Sequence, residues 1–313
     1  MKQIIYPLII LALLLSGCSS AVQTNGKKAS DGTKKIHIVT TFYPMYYFAQ
    51  KVAGNSANVD LLIPNGVEPH DWEPTAKDMA KIQDADVFIY NSSYFELWVD
   101  KVLNSIDQSN LTVVEAAKGI PLTNAIDSDA DENHHEHSSS KDPHVWLSPV
   151  LAEQEVDNIA QALEKKDPKN KVQYEKNASS FKSQLVDLDH LFKETIAKAK
   201  RKEFVTQHAA FGYLAKQYGL TQIPIAGLSP DVEPSLGKLA ELADLTKKKN
   251  IKIIYFEGLT SSKVAQTLAK EIGAKTEVLN PLEGLTKEEQ EKGLDYIGVM
   301  KKNLESLKQS ISD

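Results

Sequence analysis

Eight histidines stand in this chain, at positions 37, 70, 134, 135, 137, 144, 190 and 208. Two share a context: Glu68-Pro69-His70-Asp71-Trp72 and Asp142-Pro143-His144-Val145-Trp146 both read acid-Pro-His-x-Trp. The proline pushes the acid before it into an extended conformation and stiffens the approach to the imidazole. The acid, Glu68 or Asp142, is then placed to accept the far ring N–H of a metal-binding histidine and fix its tautomer. Trp72 or Trp146, two positions on, can cover the apolar side of such a site. His208 follows a short β-branched run directly, and Glu283 follows another in Asn280-Pro281-Leu282-Glu283-Gly284. Three imidazoles and one carboxylate, from four strand-end loops, form a four-coordinate set suited to zinc. Glu257 and Glu68 compete with Glu283 for the fourth position. His37, within the first β-rich run, and His190, beside Asp189, read as ordinary structural or surface residues.

These side chains need a scaffold, and the pattern from residue 36 onward supplies one. Short β-branched runs at 36–41, 59–63, 86–90 and 111–114 alternate with amphipathic stretches, and a second series follows at 203–206, 222–226, 251–256 and 276–279. Strands alternating with helices argue for βα units and parallel sheets, which bind ligands at the carboxyl ends of their strands. Val39-Thr40 followed by Tyr47-Phe48-Ala49 recurs as Val205-Thr206 followed by Tyr213-Leu214-Ala215. Val67-Glu68-Pro69 recurs as Val232-Glu233-Pro234, and Val87-Phe88-Ile89-Tyr90 answers Lys252-Ile253-Ile254-Tyr255. The expectation is an α/β protein of two similar lobes, in which position 70 corresponds to Ser235 and position 208 to Phe42. Different loops would then build the site across the cleft. Between the series, Tyr174, Ala178, Phe181, Leu185, Leu188, Phe192 and Ile196 form a helical stripe. A helix over 171–200 would be roughly 45 Å long, stiff and able to run along both lobes. The domains read as 36–166, an interlobe helix at 167–202, and 203–313.

Composition narrows the function. Hydrophobic residues are 42% and charged ones 25%, and the net charge of −6 offers no basic excess for nucleic acid. One cysteine excludes an intrachain disulfide and any cysteine-built zinc or iron–sulfur site within this chain. It sits where an apolar run too short to span a bilayer ends, in Leu15-Ser16-Gly17-Cys18. That sequence resembles a bacterial lipobox, implying a signal peptide at 1–17 and lipidation of Cys18. Residues 18–35 are Lys- and Ser-rich and read as a flexible tether to an outer membrane face. His134, His135 and His137 lie in a polar tract without apolar pattern, read as an accessory metal collector.

Four motifs in order give the sequence a family likeness: Thr41-Phe42-Tyr43-Pro44, Val67 to Pro74, Asp142 to Leu147, and Thr206 to Tyr213. Over residues 36–313 it resembles the solute-binding lipoproteins of zinc and manganese ABC importers, most closely the ZnuA/AdcA-type zinc branch. The resemblance implies two lobes on a rigid helix, and metal held by His70, His144, His208 and Glu283. It also implies delivery to an ABC permease and its ATPase at the outer face of the bacterial cytoplasmic membrane. A monomer is expected, with no second metal-binding domain after Asp313. The manganese branch uses more carboxylate ligands, so the three histidines favour Zn2+ over Mn2+. Two rival readings are a zinc hydrolase, against which the absence of His-Glu-x-x-His speaks, and an adhesin for host matrix, a secondary role in some members. The principal reading requires no catalysis.

Overall fold

The computed structural model describes residues 35–125 and 141–312. In the first lobe β1 (Ile36–Thr40), β2 (Ala57–Leu61), β3 (Val87–Tyr90) and β4 (Thr112–Glu115) form one parallel sheet in the order β2-β1-β3-β4. Ile38, Val39, Val87, Phe88 and Ile89 on its central strands are fully buried, as expected where helices cover both faces. Those helices are α1 (Tyr43–Ala53), α2 (Ala76–Gln83), α3 (Val99–Leu103) and α4 (Pro149–Lys166). The connecting helix α5 spans Lys171–Ile196. The second lobe repeats the plan: β5 (Glu203–Thr206), β6 (Thr221–Pro224), β7 (Ile253–Phe256) and β8 (Lys275–Val278) pair in parallel as β6-β5-β7-β8. Helices α6 (Gly212–Tyr218), α7 (Leu236–Lys248), α8 (Lys263–Ile272), α9 (Lys287–Glu291) and α10 (Tyr296–Ile311) surround it. All eight expected strands are present within two residues of their expected ends.

The seven apolar positions of the α5 stripe are all at most 5% exposed. They pack against α1 and α4 of the first lobe and α10 and α6 of the second. Phe181 and Tyr296 both meet the Phe48 ring, at centroid distances of 5.7 and 5.1 Å, so one apolar core runs from lobe to lobe. Fully burying each such large side chain contributes about 1.5–3 kcal/mol, which makes α5 part of both lobes rather than a linker. At 26 residues it is about 39 Å long, shorter than expected. It stops because the chain turns, with the Lys200 and Arg201 amides donating to the Ile311 carbonyl of α10.

The repeat is real, but one alignment within it shifts. Thr75 and Ser235 both cap helix N-termini, of α2 and α7, by accepting from the backbone three residues on. Asp71-Trp72-Glu73-Pro74-Thr75 therefore matches Asp231-Val232-Glu233-Pro234-Ser235, and position 70 corresponds to Pro230 instead of Ser235. The loops after β2 and β6 differ in length, which a constant sequence offset cannot show.

Candidate metal centre

In both sheets the strand order reverses between the first and third strand, and the crevice opens at the carboxyl ends. His208 and Glu257 follow β5 and β7 at this point of the second lobe. The first lobe fills the same place differently: Phe42 stands where His208 does and packs on Phe95 and Trp146 at 4.5 and 4.8 Å. Glu96 there accepts from Thr41 Oγ1 and the Asn91 and Ser92 amides. His70 comes from the loop after β2. His144 and Glu283 come from equivalent connections, after β4 and after β8, so the expectation that the lobes use only different loops holds for His70 and His208 alone.

The donor atoms of His70, His144, His208 and Glu283 lie within 4.8 Å of one another. One oxygen, Glu283 Oε1, is 3.3 Å from His70 Nε2, 3.3 Å from His144 Nε2 and 3.4 Å from His208 Nε2. A tetrahedron's edge is about 1.63 times its centre-to-vertex length, so the three edges that meet at Glu283 Oε1 are the length expected for bonds of roughly 2.0–2.1 Å, the zinc–nitrogen and zinc–oxygen distance. His144 Nε2, His208 Nε2 and Glu283 Oε2 are buried with no hydrogen-bond partner among the described residues. Buried polar atoms left so are rare unless a ligand takes them.

The surrounding carboxylates orient this set. Asp142 Oδ1 accepts from the His144 amide at 3.0 Å and faces its ring Nδ1 at 2.8 Å. Glu257 Oε1 lies 2.5 Å from His208 Nδ1. Each leaves Nε2 to point inward. Glu257, a competitor for the fourth ligand position in the sequence, thus sits on the outer side of His208. Glu68 departs from its expected role: its oxygens accept the His70 backbone amide, both at 3.0 Å, and no ring nitrogen. Both acids of the acid-Pro-His motif therefore cap a tight turn, and Asp142 alone also reaches the ring. Trp146 does cover the site, fully buried with its centroid 5.2 Å from that of His144. Trp72 does not; Phe95 takes that place, 4.8 Å from the His70 ring, while Trp72 packs on Trp98.

Burial disfavours charge on His208, but Glu257 and Glu283 outweigh it and push its pKa up to about 10. The same contest, with Asp142 and Glu283, raises His144. Burial would raise Glu283, and the three histidines instead hold it well below the usual carboxylate range. Glu68 is pushed up to about 7, chiefly by burial.

Local structure explains how the ligands stay put. The chain at 207–211 does not enter a helix directly after β5. The Ala209 amide donates to Gly227, and the His208 carbonyl accepts from Thr206 Oγ1 and Gln222 Nε2, which delays α6 to Gly212. Gly212 approaches Asp142 so closely that a Cβ there would lie 2.8 Å from Oδ2. Leu282, beside Glu283, has φ 62°, a conformation few non-glycine residues adopt. Asn280 holds it: Oδ1 accepts the Leu282 amide at 2.6 Å, and its own amides donate to Glu289 and Asn303. Phe95, Asn280, Glu289 and Asn303 carried no recognised signal in the sequence, although Asn-Pro before Glu283 marks a turn. His37 pairs with Asp60 at 2.9 Å and His190 is exposed, both away from the site. Cys18, His134, His135 and His137 lie outside the described residues.

Two parallel α/β lobes on a shared helix, with three imidazoles and a carboxylate converging at their cleft, define a bilobed metal-binding protein of the solute-receptor class. Residues 38–310 match the family described as zinc-uptake complex component A, periplasmic, and the chain belongs to that family. It is 56% identical over 307 residues to the high-affinity zinc uptake system protein ZnuA of Bacillus subtilis, covering 96% of this chain and 94% of that one. The zinc-binding lipoprotein AdcA of Streptococcus pneumoniae is 48% identical over 96% of this chain, which spans 59% of AdcA. The crystal structure of the Zn(II)-bound ZnuA-like domain of that AdcA covers 89% of this chain and all of its own, with a TM-score of 0.77. Laminin binding protein of Streptococcus agalactiae, described as having adhesin and metal-transporting activity, is 37% identical with a TM-score of 0.79, covering 89% of this chain and all of its own.

Proposed function

We propose that this chain is an extracytoplasmic receptor that binds Zn2+ through His70, His144, His208 and Glu283 and delivers it to an ABC permease and its ATPase. The observation that carries the reading is the single Glu283 oxygen at 3.3–3.4 Å from three inward imidazole nitrogens. A compact nitrogen-rich tetrahedron suits zinc, whereas manganese favours six oxygen-rich ligands. A carboxylate at the fourth vertex would take the place a hydrolase reserves for water, which speaks against the enzymatic reading. Relatives named zinc uptake and zinc-binding lipoproteins support the same assignment. Lipidation at Cys18 would tether the receptor to the outer face of the cytoplasmic membrane, with residues 18–35 as tether; among the described residues no helix is long and apolar enough to cross one. The histidines at 134, 135 and 137, shortly upstream of His144 in the sequence, would act as an accessory metal collector.

The test is a competition titration of chelated zinc and manganese, read by tryptophan fluorescence, with Trp146 as the reporter beside His144. Alanine at any of the four residues should weaken zinc by orders of magnitude, while deletion of 131–137 should leave the tight site intact. Unchanged affinity in one of the four alanine variants would remove that residue from the site.

A further inference from the structure

Glu283 belongs to the second lobe by chain connection, yet the loop that carries it is gripped from the first. Residues 279–285 are buried throughout, and Leu279, Leu282 and Leu285 join the apolar core that runs through the first lobe and α5. Val205 and Ile254, on the central strands of the second sheet, pack in a separate cluster. Two hydrogen bonds reach this loop across the cleft. The Trp146 indole Nε1 donates to the Pro281 carbonyl at 2.8 Å, and both groups are buried. The Leu285 amide donates to Asn65 Oδ1 at 3.2 Å. Pro281 lies two residues before Glu283, and Leu285 two residues after it. Between them Gly284 rests on the loop that leads to His70. A Cβ there would stand 3.7 Å from the Gly66 nitrogen and 3.8 Å from the Val67 carbonyl oxygen.

Asn280 ties the start of the loop to α9 and α10 within its own lobe. The bonds across the cleft do something different, because each comes from a residue close in the chain to a first-lobe histidine. Trp146 follows His144 by two residues, and its own carbonyl accepts from Tyr296 Oη of α10 at 2.6 Å. Asn65 stands on the same loop as His70. We propose that Trp146 and Asn65 are positioning residues for Glu283, which set the distance of its carboxylate from the His70 and His144 imidazoles. Metal ligands perform when the surrounding structure holds them within about 0.5 Å of the required geometry. With Pro281 and Leu285 both held, the carboxylate between them has little freedom to withdraw from the two imidazoles. Losing either bond loosens one end of the five-residue span.

This rests on Glu283 being the fourth zinc ligand, and the variants are chosen to separate the two. Zinc affinity of the full chain is measured by competition with a chromophoric chelator. The proteins are wild type, Trp146→Phe, Asn65→Ala and Glu283→Ala, with each of the first two variants also combined with Glu283→Ala. Trp146→Phe keeps a ring in the core and removes the N–H. Asn65→Ala, at a half-buried loop position, tests the other end of the span and does not disturb the core. Each should weaken zinc roughly tenfold in the native background. Once residue 283 is alanine each should change affinity less than about twofold, the non-additivity of residues that act through a third. Cobalt-loaded Trp146→Phe should also show weaker visible absorption than cobalt-loaded wild type, as the carboxylate withdraws and water joins the shell. A role confined to His144, His70 or general stability would give the same loss in both backgrounds and would overturn the inference, as would an unaltered cobalt spectrum. Unchanged zinc affinity in Glu283→Ala alone would remove the fourth ligand and the inference with it.

Discussion

Glu283 is held well below the usual carboxylate range against complete burial because three imidazoles face one of its oxygens, and His144 and His208 are raised because a carboxylate flanks each ring on both sides. A proton on His208 Nε2 stands in the direction a metal would take. Coordination needs neutral imidazole, so zinc arriving at pH 7 has to displace the proton on His208, whose pKa lies up at about 10. The sign follows: a raised histidine pKa means that lowering pH adds competing protons and raising it removes them. Apparent zinc affinity should therefore rise with pH, and titration in buffers of different ionisation enthalpy should show the release of about one proton per zinc from His208. Heats independent of the buffer would contradict this. The outer carboxylates should matter almost as much as the ligands. Asp142→Asn and Glu257→Gln should each weaken zinc by roughly 10–100-fold in chelator competition. Glu68→Gln should act more mildly, since Glu68 fixes only the backbone of the His70 turn.

At the scale of elements, the loops after β4 and β8 do the positioning. The Asn280 side chain holds Leu282 in its left-handed conformation and thereby aims Glu283. Asn280→Ala would leave the Leu282 amide and the Glu289 carboxylate short of hydrogen bonds, a loss of about 1–3 kcal/mol. Chemical denaturation should show that loss, and zinc binding should weaken although no ligand was touched; wild-type affinity in a destabilised variant would separate the turn from the site. Much of this level was legible in the sequence. β-branched runs marked the strands, the α5 stripe marked its buried face, and the acid-Pro-His-x-Trp repeat singled out His70 and His144. What stayed hidden depends on contacts between distant segments. Phe95 reaches His70 from the loop after β3, Asn303 reaches Asn280 from α10, and neither spacing leaves a local pattern. The paired motif even misled for Trp72, because similar local sequence does not fix which neighbour a ring meets once the two loops enter different surroundings.

At the scale of the whole molecule, α5 joins two sheets through one continuous core, so the lobes should move and unfold together. Phe181→Ala should cost about 3–5 kcal/mol and lower one shared thermal transition; two separated transitions would show the lobes to be independent. Zinc should change the scattering radius little, because closing the cleft by a large angle would break the packing of Tyr174 to Ile196 on both sides. Two rigid lobes then present four ligand loops to one point, which is the central claim. X-ray absorption at the zinc edge of the loaded protein tests it most directly. The expected spectrum has four nitrogen or oxygen neighbours at roughly 2.0–2.1 Å, with the outer-shell scattering of three imidazoles. A five- or six-coordinate oxygen-rich shell, or fewer than three imidazoles, would contradict it.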